Sequence, residues 1–156
     1  AGLRLGWMVA PAALRAQAVM CKQFSDANTS TLAQATATAY LQSGALPQAL
    51  AGVRAAYRER AHAMLHGLGR YLHPHVTYNQ PQGGLFVWAR FTAAGADSTV
   101  LSQRAAEQGV AFVPGAPFFA TQPDTAAFRL SFATVPPEQI DEGLQRLARV
   151  IQNTDA

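Results

Sequence analysis

A single charge inside an apolar strand is the feature that most limits what this chain can become. In Phe128-Arg129-Leu130-Ser131-Phe132, aromatic and aliphatic residues alternate with polar ones, the pattern of a half-buried β-strand. Successive side chains point to opposite faces, so Phe128, Leu130 and Phe132 share one face and Arg129 and Ser131 the other. If that second face is covered, the guanidinium needs an anionic partner, because an unpaired buried charge is costly. Its planar fork suits a carboxylate, whose two oxygens it can hold at once. Two readings stay open: an edge-strand arginine paired with a structural Asp or Glu, and an arginine that grips a ligand.

A second stretch carries the same signature. Gly2-Leu3-Arg4-Leu5-Gly6-Trp7-Met8-Val9 reads as a strand in which Leu3, Leu5 and Trp7 alternate with Arg4, Gly6 and Met8. The small glycines beside Arg4 would let a ligand or another backbone approach. Alternatively, Arg4 belongs to a thinly covered first strand and faces water. The chain opens directly inside this segment, so an upstream portion is expected.

Length and composition set bounds on both readings. The 156 residues suffice for a domain with a real core, and 49% are hydrophobic against 13% charged, as in a soluble globular protein. No apolar run approaches the roughly 20 residues that cross a bilayer, and no signal peptide is visible. A membrane partner is therefore not expected. The formal charge of +3 comes from eleven arginines and Lys22 against nine acidic residues. The arginines are spread along the chain, so no nucleic-acid stripe emerges. Arg54, Arg58 and Arg60 are the densest cluster, but Glu59 interrupts it, and a solvated helix face accounts for it. Cys21 is the only cysteine, which excludes an internal disulfide and fits a reducing cytoplasm.

Taken in order, the chain reads as helices first and sheet later. Residues 12–25 place Leu14, Ala18, Cys21 and Phe24 at helical spacing, and a second helix is expected from Ser30 to Gln42 with Leu32, Ala35, Ala39 and Tyr40 inward. Ser43-Gly44 closes it. Leu46-Pro47 opens the longest helix, running to Leu72, with Pro47 in its first turn and Pro74 as its stop. The period then changes. His75–Asn79 is a short strand, 81–84 a turn, and 85–91 a strand whose continuous apolar run suggests burial on both faces. Asp97 or Ser98 caps a helix ended by Gly109. Val110–Val113 is a brief strand, and the Arg129 strand follows a loop over 121–126. A last helix starts at Pro136 or Pro137 and buries Ile140, Leu144, Leu147 and Ile151. Strand, strand, helix, strand, strand, helix from residue 75 describes an α/β unit: a small sheet covered by helices.

Several chemistries find no foothold. His62 and His66 share a helix face, but no third ligand and no intervening general-base glutamate complete a zinc motif, so no metal site is expected. Nucleophile elbows, phosphate-cradling lysine loops and paired-cysteine sites are absent. Gly83-Gly84 lacks the third glycine of a dinucleotide fingerprint and reads as a turn.

Three stretches taken together carry a resemblance. GLRLGWMVAP at 2–11, PQGGLFVWARF at 81–91, and GVAFVPGAPFF at 109–119 leading into FRLSFATVPPEQIDEGLQRLARVI at 128–151 resemble the C-terminal half of fold type I, class I/II pyridoxal-phosphate-dependent aminotransferases. The subgroup resembled is that of 2-aminoadipate and other broad-range enzymes. The resemblance implies that Arg4 contacts the cofactor phosphate and that Arg129 clamps the substrate α-carboxylate. It implies pyridoxal 5′-phosphate as cofactor, an amino acid and a 2-oxo acid as substrates, and a homodimer. It also implies a Schiff-base lysine upstream of Ala1, so no catalytic residue is assigned within the chain. Lys22, in an alanine-rich helix, has no neighbour that would activate it, and the segment alone is expected to be inactive.

By the same resemblance, residues 1–45 would be the end of the large cofactor-binding domain, 46–72 a connecting helix, and 73–156 the small C-terminal domain. The alternative is the effector domain of an aminotransferase-like transcription regulator fused to a winged helix.

Overall fold

The change of period at Pro74 is where helix gives way to sheet. A computed structural model describes residues 2–153; Ala1 and residues 154–156, the outer ends of the first and third expected segments, lie outside the described residues. The chain forms two compact units, Ala1–Gly52 and Val53–Ala156.

The first unit is helical. α1 spans Ala12–Ser25 and α2 spans Thr31–Gln42. Ser30 caps α2 by accepting the backbone N–H of Ala33 at 3.3 Å, which satisfies one of the donors a helix start leaves free. Gly44 follows with φ +73°, a conformation only glycine adopts without steric cost. The expected inward residues of α2 are not inward: neither helix buries a residue, and Leu32 and Tyr40 are exposed. Helical periodicity locates a stripe but does not supply the surface that covers it. The strand expected over 2–9 is also not formed. Gly2 and Leu3 make a turn, and the chain to Pro11 is irregular. A strand exists only as part of a hydrogen-bonded ladder, and no strand among the described residues pairs with this one.

α3, Leu46–Gly67, runs across the boundary between the units and continues as one π-helical turn, Leu68–Leu72. The second unit then builds a four-stranded sheet from β1 (Val76–Tyr78), β2 (Phe86–Phe91), β3 (Val113–Pro114) and β4 (Ala127–Ser131), in the order β1-β2-β4-β3. All three pairings are antiparallel. α4 (Ser98–Glu107) and α5 (Pro137–Gln152) complete the α/β unit.

The helices cover one face of this sheet. Val87, Ala89 and Phe91 of β2 and Phe128 and Leu130 of β4 pack with Met64, Leu68 and Leu72, with Leu101 and Ala105 of α4, and with Ile140, Leu144, Leu147 and Ile151 of α5. Phe91 and Phe128 stack at 4.2 Å between ring centroids. β2 was expected to be buried on both faces; it alternates instead, with Phe86 and Arg90 exposed on the other side. Phe86 and Trp88 are apolar for a different reason, developed below. β3 is held close to β4 at Gly115, where a Cβ would fall 2.6 Å from the backbone of Ala127.

Asp97 caps α4, its carboxylate accepting the Thr99 N–H at 2.7 Å. The neighbouring Ser98 is fully buried, and its Oγ has no hydrogen-bond partner. A buried hydroxyl without a partner forfeits its hydration for nothing. Ser98→Ala is therefore expected to raise stability by up to about 1 kcal/mol. Chemical denaturation of the two proteins checks this; a clear loss of stability in the variant would contradict it.

Candidate functional site

The face of the sheet that the helices leave open carries the arginine singled out by the sequence. β4 places Phe128 and Leu130 in the core, so Arg129 between them must project the other way. It does, and it is half-buried. Register puts Trp88 of β2 and Val113 of β3 directly opposite it on either side, and Phe86 opposite Ser131.

The guanidinium lies over two aromatic rings. Arg129 Cζ is 4.0 Å from the ring centroid of Phe86 and 4.8 Å from that of Phe118. Phe118 comes from the short 3₁₀ turn Ala116–Phe118 that follows β3. Trp88 braces this ring edge-on at 5.6 Å and touches Phe119 at 6.0 Å. Arg129 Nε is buried and makes no hydrogen bond. Among the described residues no carboxylate is paired with it.

Arg90 shows what the structural alternative looks like. It sits on the same face of β2, and its Nε donates to Asp124 Oδ2 at 2.8 Å. That hydrogen bond holds the Asp124 carboxyl below its ordinary range, against the opposing effect of partial burial, and the N–H of Ala126 adds to it. Asp124 thereby pins the loop that leads into β4. Two arginines on one sheet face have been given opposite surroundings: one a carboxylate, the other two rings and an orphaned donor.

Arg4 lies in the other unit, and its position is described only there. It is exposed, and its φ of +53° is one of three positive values at non-glycine residues, with Ala27 and Gln122. Left-handed backbone is unfavourable for a side chain with a Cβ. Among the described residues no carboxylate is paired with Arg4. Lys22 sits on an exposed stretch of α1, its Nζ bonded to Asp26 at 2.7 Å and to Thr29 at 2.9 Å.

Other features stay apart from Arg129. A cleft of about 660 Å³ between α3 and the 80–85 turn is lined by Arg54, Tyr57, Arg58, His62 and Phe132, among others, and does not include Arg129. No group of three or more His, Cys, Asp or Glu side chains converges among the described residues. No helix among them is long and apolar enough to cross a membrane.

The sequence pointed to Arg129 but not to its aromatic clamp. The signal for Phe86 was available, since it shares a strand face with Trp88. Phe118 is displayed by a turn, where neither period applies.

The family described as "Aminotransferase class I and II" matches residues 1–147. A 2-aminoadipate transaminase from Thermus thermophilus is 43% identical over 152 residues, which are 97% of this chain and 38% of the relative. An aromatic-amino-acid aminotransferase from Thermococcus litoralis is 36% identical over 97% of the chain and 36% of its own length. The crystal structure of the α-aminoadipate aminotransferase LysN from Thermus thermophilus, complexed with N-(5′-phosphopyridoxyl)-L-leucine, superimposes with a TM-score of 0.80 at 40% identity, covering 97% of this chain and 39% of that one. The chain therefore spans somewhat over a third of the length of the relatives it matches.

The Arg90–Asp124 pair gives a pH test of the site's frame. A carboxyl depressed in the folded state contributes stability above its unfolded pKa, near 4, and loses it as the pH falls through the folded value. Arg90 is 53% and Asp124 30% exposed, so solvent limits the contribution to less than about 1 kcal/mol. Asp124→Asn is expected to lower stability slightly at pH 7 and by less at pH 2.5, read by thermal melts. An equal loss at both pH values would mean that the charge plays no part.

Proposed function

This chain belongs to the class I and II aminotransferases, and from that membership we propose that it supplies the substrate-carboxylate grip of an enzyme that transfers an amino group between an amino acid and a 2-oxo acid. The observation that carries the reading is the buried, unpartnered Nε of Arg129 between Phe86 and Phe118. A fold that half-buries a permanent cation and gives it no acidic partner among the described residues leaves room for an anion from outside. A carboxylate meets the fork with two parallel, charge-assisted hydrogen bonds. Every amino acid and every 2-oxo acid presents that group, so one arginine serves both half-reactions.

The residues also fit pyridoxal 5′-phosphate. Arg4 is a guanidinium without an acidic partner among the described residues, held on left-handed backbone of a kind that recurs at binding sites, and it would hold the phosphate. When bound, that cofactor supplies the electron sink for the charge left at Cα as the substrate loses its proton. The chain's own contribution is to bind and orient. By fixing the carboxylate, Arg129 fixes the direction of the Cα–H bond, and orientation of this kind accounts for much of the barrier lowering in enzymes. In this reading Lys22 takes no part in the chemistry.

The proposal extends to organisation. Residues 1–45 belong to the large cofactor-binding domain, 46–72 connect, and 73–156 form the small domain. The parent enzyme is a homodimer in the cytoplasm. Exposed apolar side chains such as Trp7, Val9 and Phe24 support association, because soluble monomers seldom leave large apolar patches uncovered. The regulator alternative has less behind it: the relatives above are named as aminotransferases.

In the cofactor-loaded enzyme that contains this chain, Arg129→Lys should lower kcat/KM for amino acids by about 10- to 100-fold, since a point charge replaces a two-pronged grip. Unchanged steady-state kinetics would remove Arg129 from the site. Arg4→Ala should instead weaken cofactor binding by about tenfold or more, followed by absorbance titration, with much of the turnover restored at saturating cofactor. An unchanged titration would return Arg4 to a purely structural role.

A further inference from the structure

We infer that Phe118 is a positioning residue for Arg129, one that sets the rotation of the guanidinium fork before any substrate arrives. This rests on the reading of Arg129 as the carboxylate grip. Two features of the clamp point to it.

The first is that hydrogen bonding does not orient the fork. An arginine that recognises a planar anion must present its edge at a fixed angle, and an acceptor on Nε would ordinarily set that angle. Here Nε has none. What bounds the group are two rings, with Phe86 at 4.0 Å and Phe118 at 4.8 Å from Cζ. A cation between two ring faces is attracted by both quadrupoles, and the attraction is strongest where water is excluded. Contact with both rings thus limits how the guanidinium can turn.

The second is that Phe118 contributes little elsewhere. It is 52% exposed and is not part of the hydrophobic core. Its ring contacts are with Arg129 and Trp88. Phe86 is a fixture of β2, set by its register with Ser131, so it forms the floor of the clamp. Phe118 is delivered from a turn and closes the other side. Trp88, standing edge-on to Phe118 at 89°, holds that ring in place.

The test is Phe118→Leu in the cofactor-loaded enzyme, which keeps apolar bulk and removes the π face. KM for both the amino acid and the 2-oxo acid should rise about fivefold or more, the scale of a desolvated cation–π contact. Because the angle of the fork also directs the Cα–H bond, kcat should fall as well. Phe118→Tyr should restore KM, and cofactor affinity should be unchanged in both variants. An unchanged KM in Phe118→Leu, or a failure of Phe118→Tyr to restore it, would overturn the inference. Arg129→Lys measured alongside separates the two claims. If it raises KM while Phe118→Leu does not, the positioning role fails and the carboxylate grip stands; if neither variant moves KM, the grip itself fails.

Discussion

Half-burying Arg129 without an acidic partner among the described residues is the constraint around which its face of this sheet is arranged. A guanidinium never gives up its charge in a protein, so it must be paired or lodged against something polarizable. The fold lodges it between Phe86 and Phe118 and spends no carboxylate on it. That arrangement explains why β2 carries Phe86 and Trp88 on the face opposite the core. It also explains why the turn after β3 ends in two phenylalanines. Gly115 lets that turn lie against β4, since a side chain there would strike Ala127.

The opposite face supplies the rigidity. Phe128 and Leu130 flank Arg129 along β4 and are both buried in the core, so the backbone that carries the guanidinium cannot shift without disturbing that packing. Phe91, Phe112 and Phe128 form a cluster of rings directly beneath, and α5 seals it with Ile140, Leu144, Leu147 and Ile151. Functional groups hold their geometry best when mounted on packed elements of this kind. The Arg90–Asp124 pair does similar work at the entrance to β4, where it fixes the preceding loop.

Much of this was legible in the sequence because it depends on period. Alternation in 128–132 assigned both faces of β4, and the stripe through Ile140, Leu144, Leu147 and Ile151 placed α5 against the core. Capping chemistry located the start of α4. Where the reading failed, the missing quantity was a partner. Residues 2–9 alternate as a strand should, yet no ladder forms around them among the described residues. The apolar positions of α1 and α2 have helical spacing but no covering surface within it. The run 85–91 looked buried on both sides because aromatic residues serving a cation and aromatic residues serving a core are alike in a one-dimensional pattern. Phe118 was invisible for a related reason: it acts from a turn, where only three-dimensional proximity to Arg129 gives it meaning.

The central claim is that an external carboxylate completes the surroundings of Arg129. The most direct measurement is a crystal structure of the intact enzyme bound to a phosphopyridoxyl amino acid, the kind of adduct captured in the Thermus thermophilus relative. The account predicts both carboxylate oxygens within hydrogen-bonding distance of the Arg129 guanidinium, with the rings of Phe86 and Phe118 still on either side of it. A complex in which Arg129 turns to solvent or pairs with a carboxylate of the protein, while another residue takes the substrate's carboxylate, would contradict it.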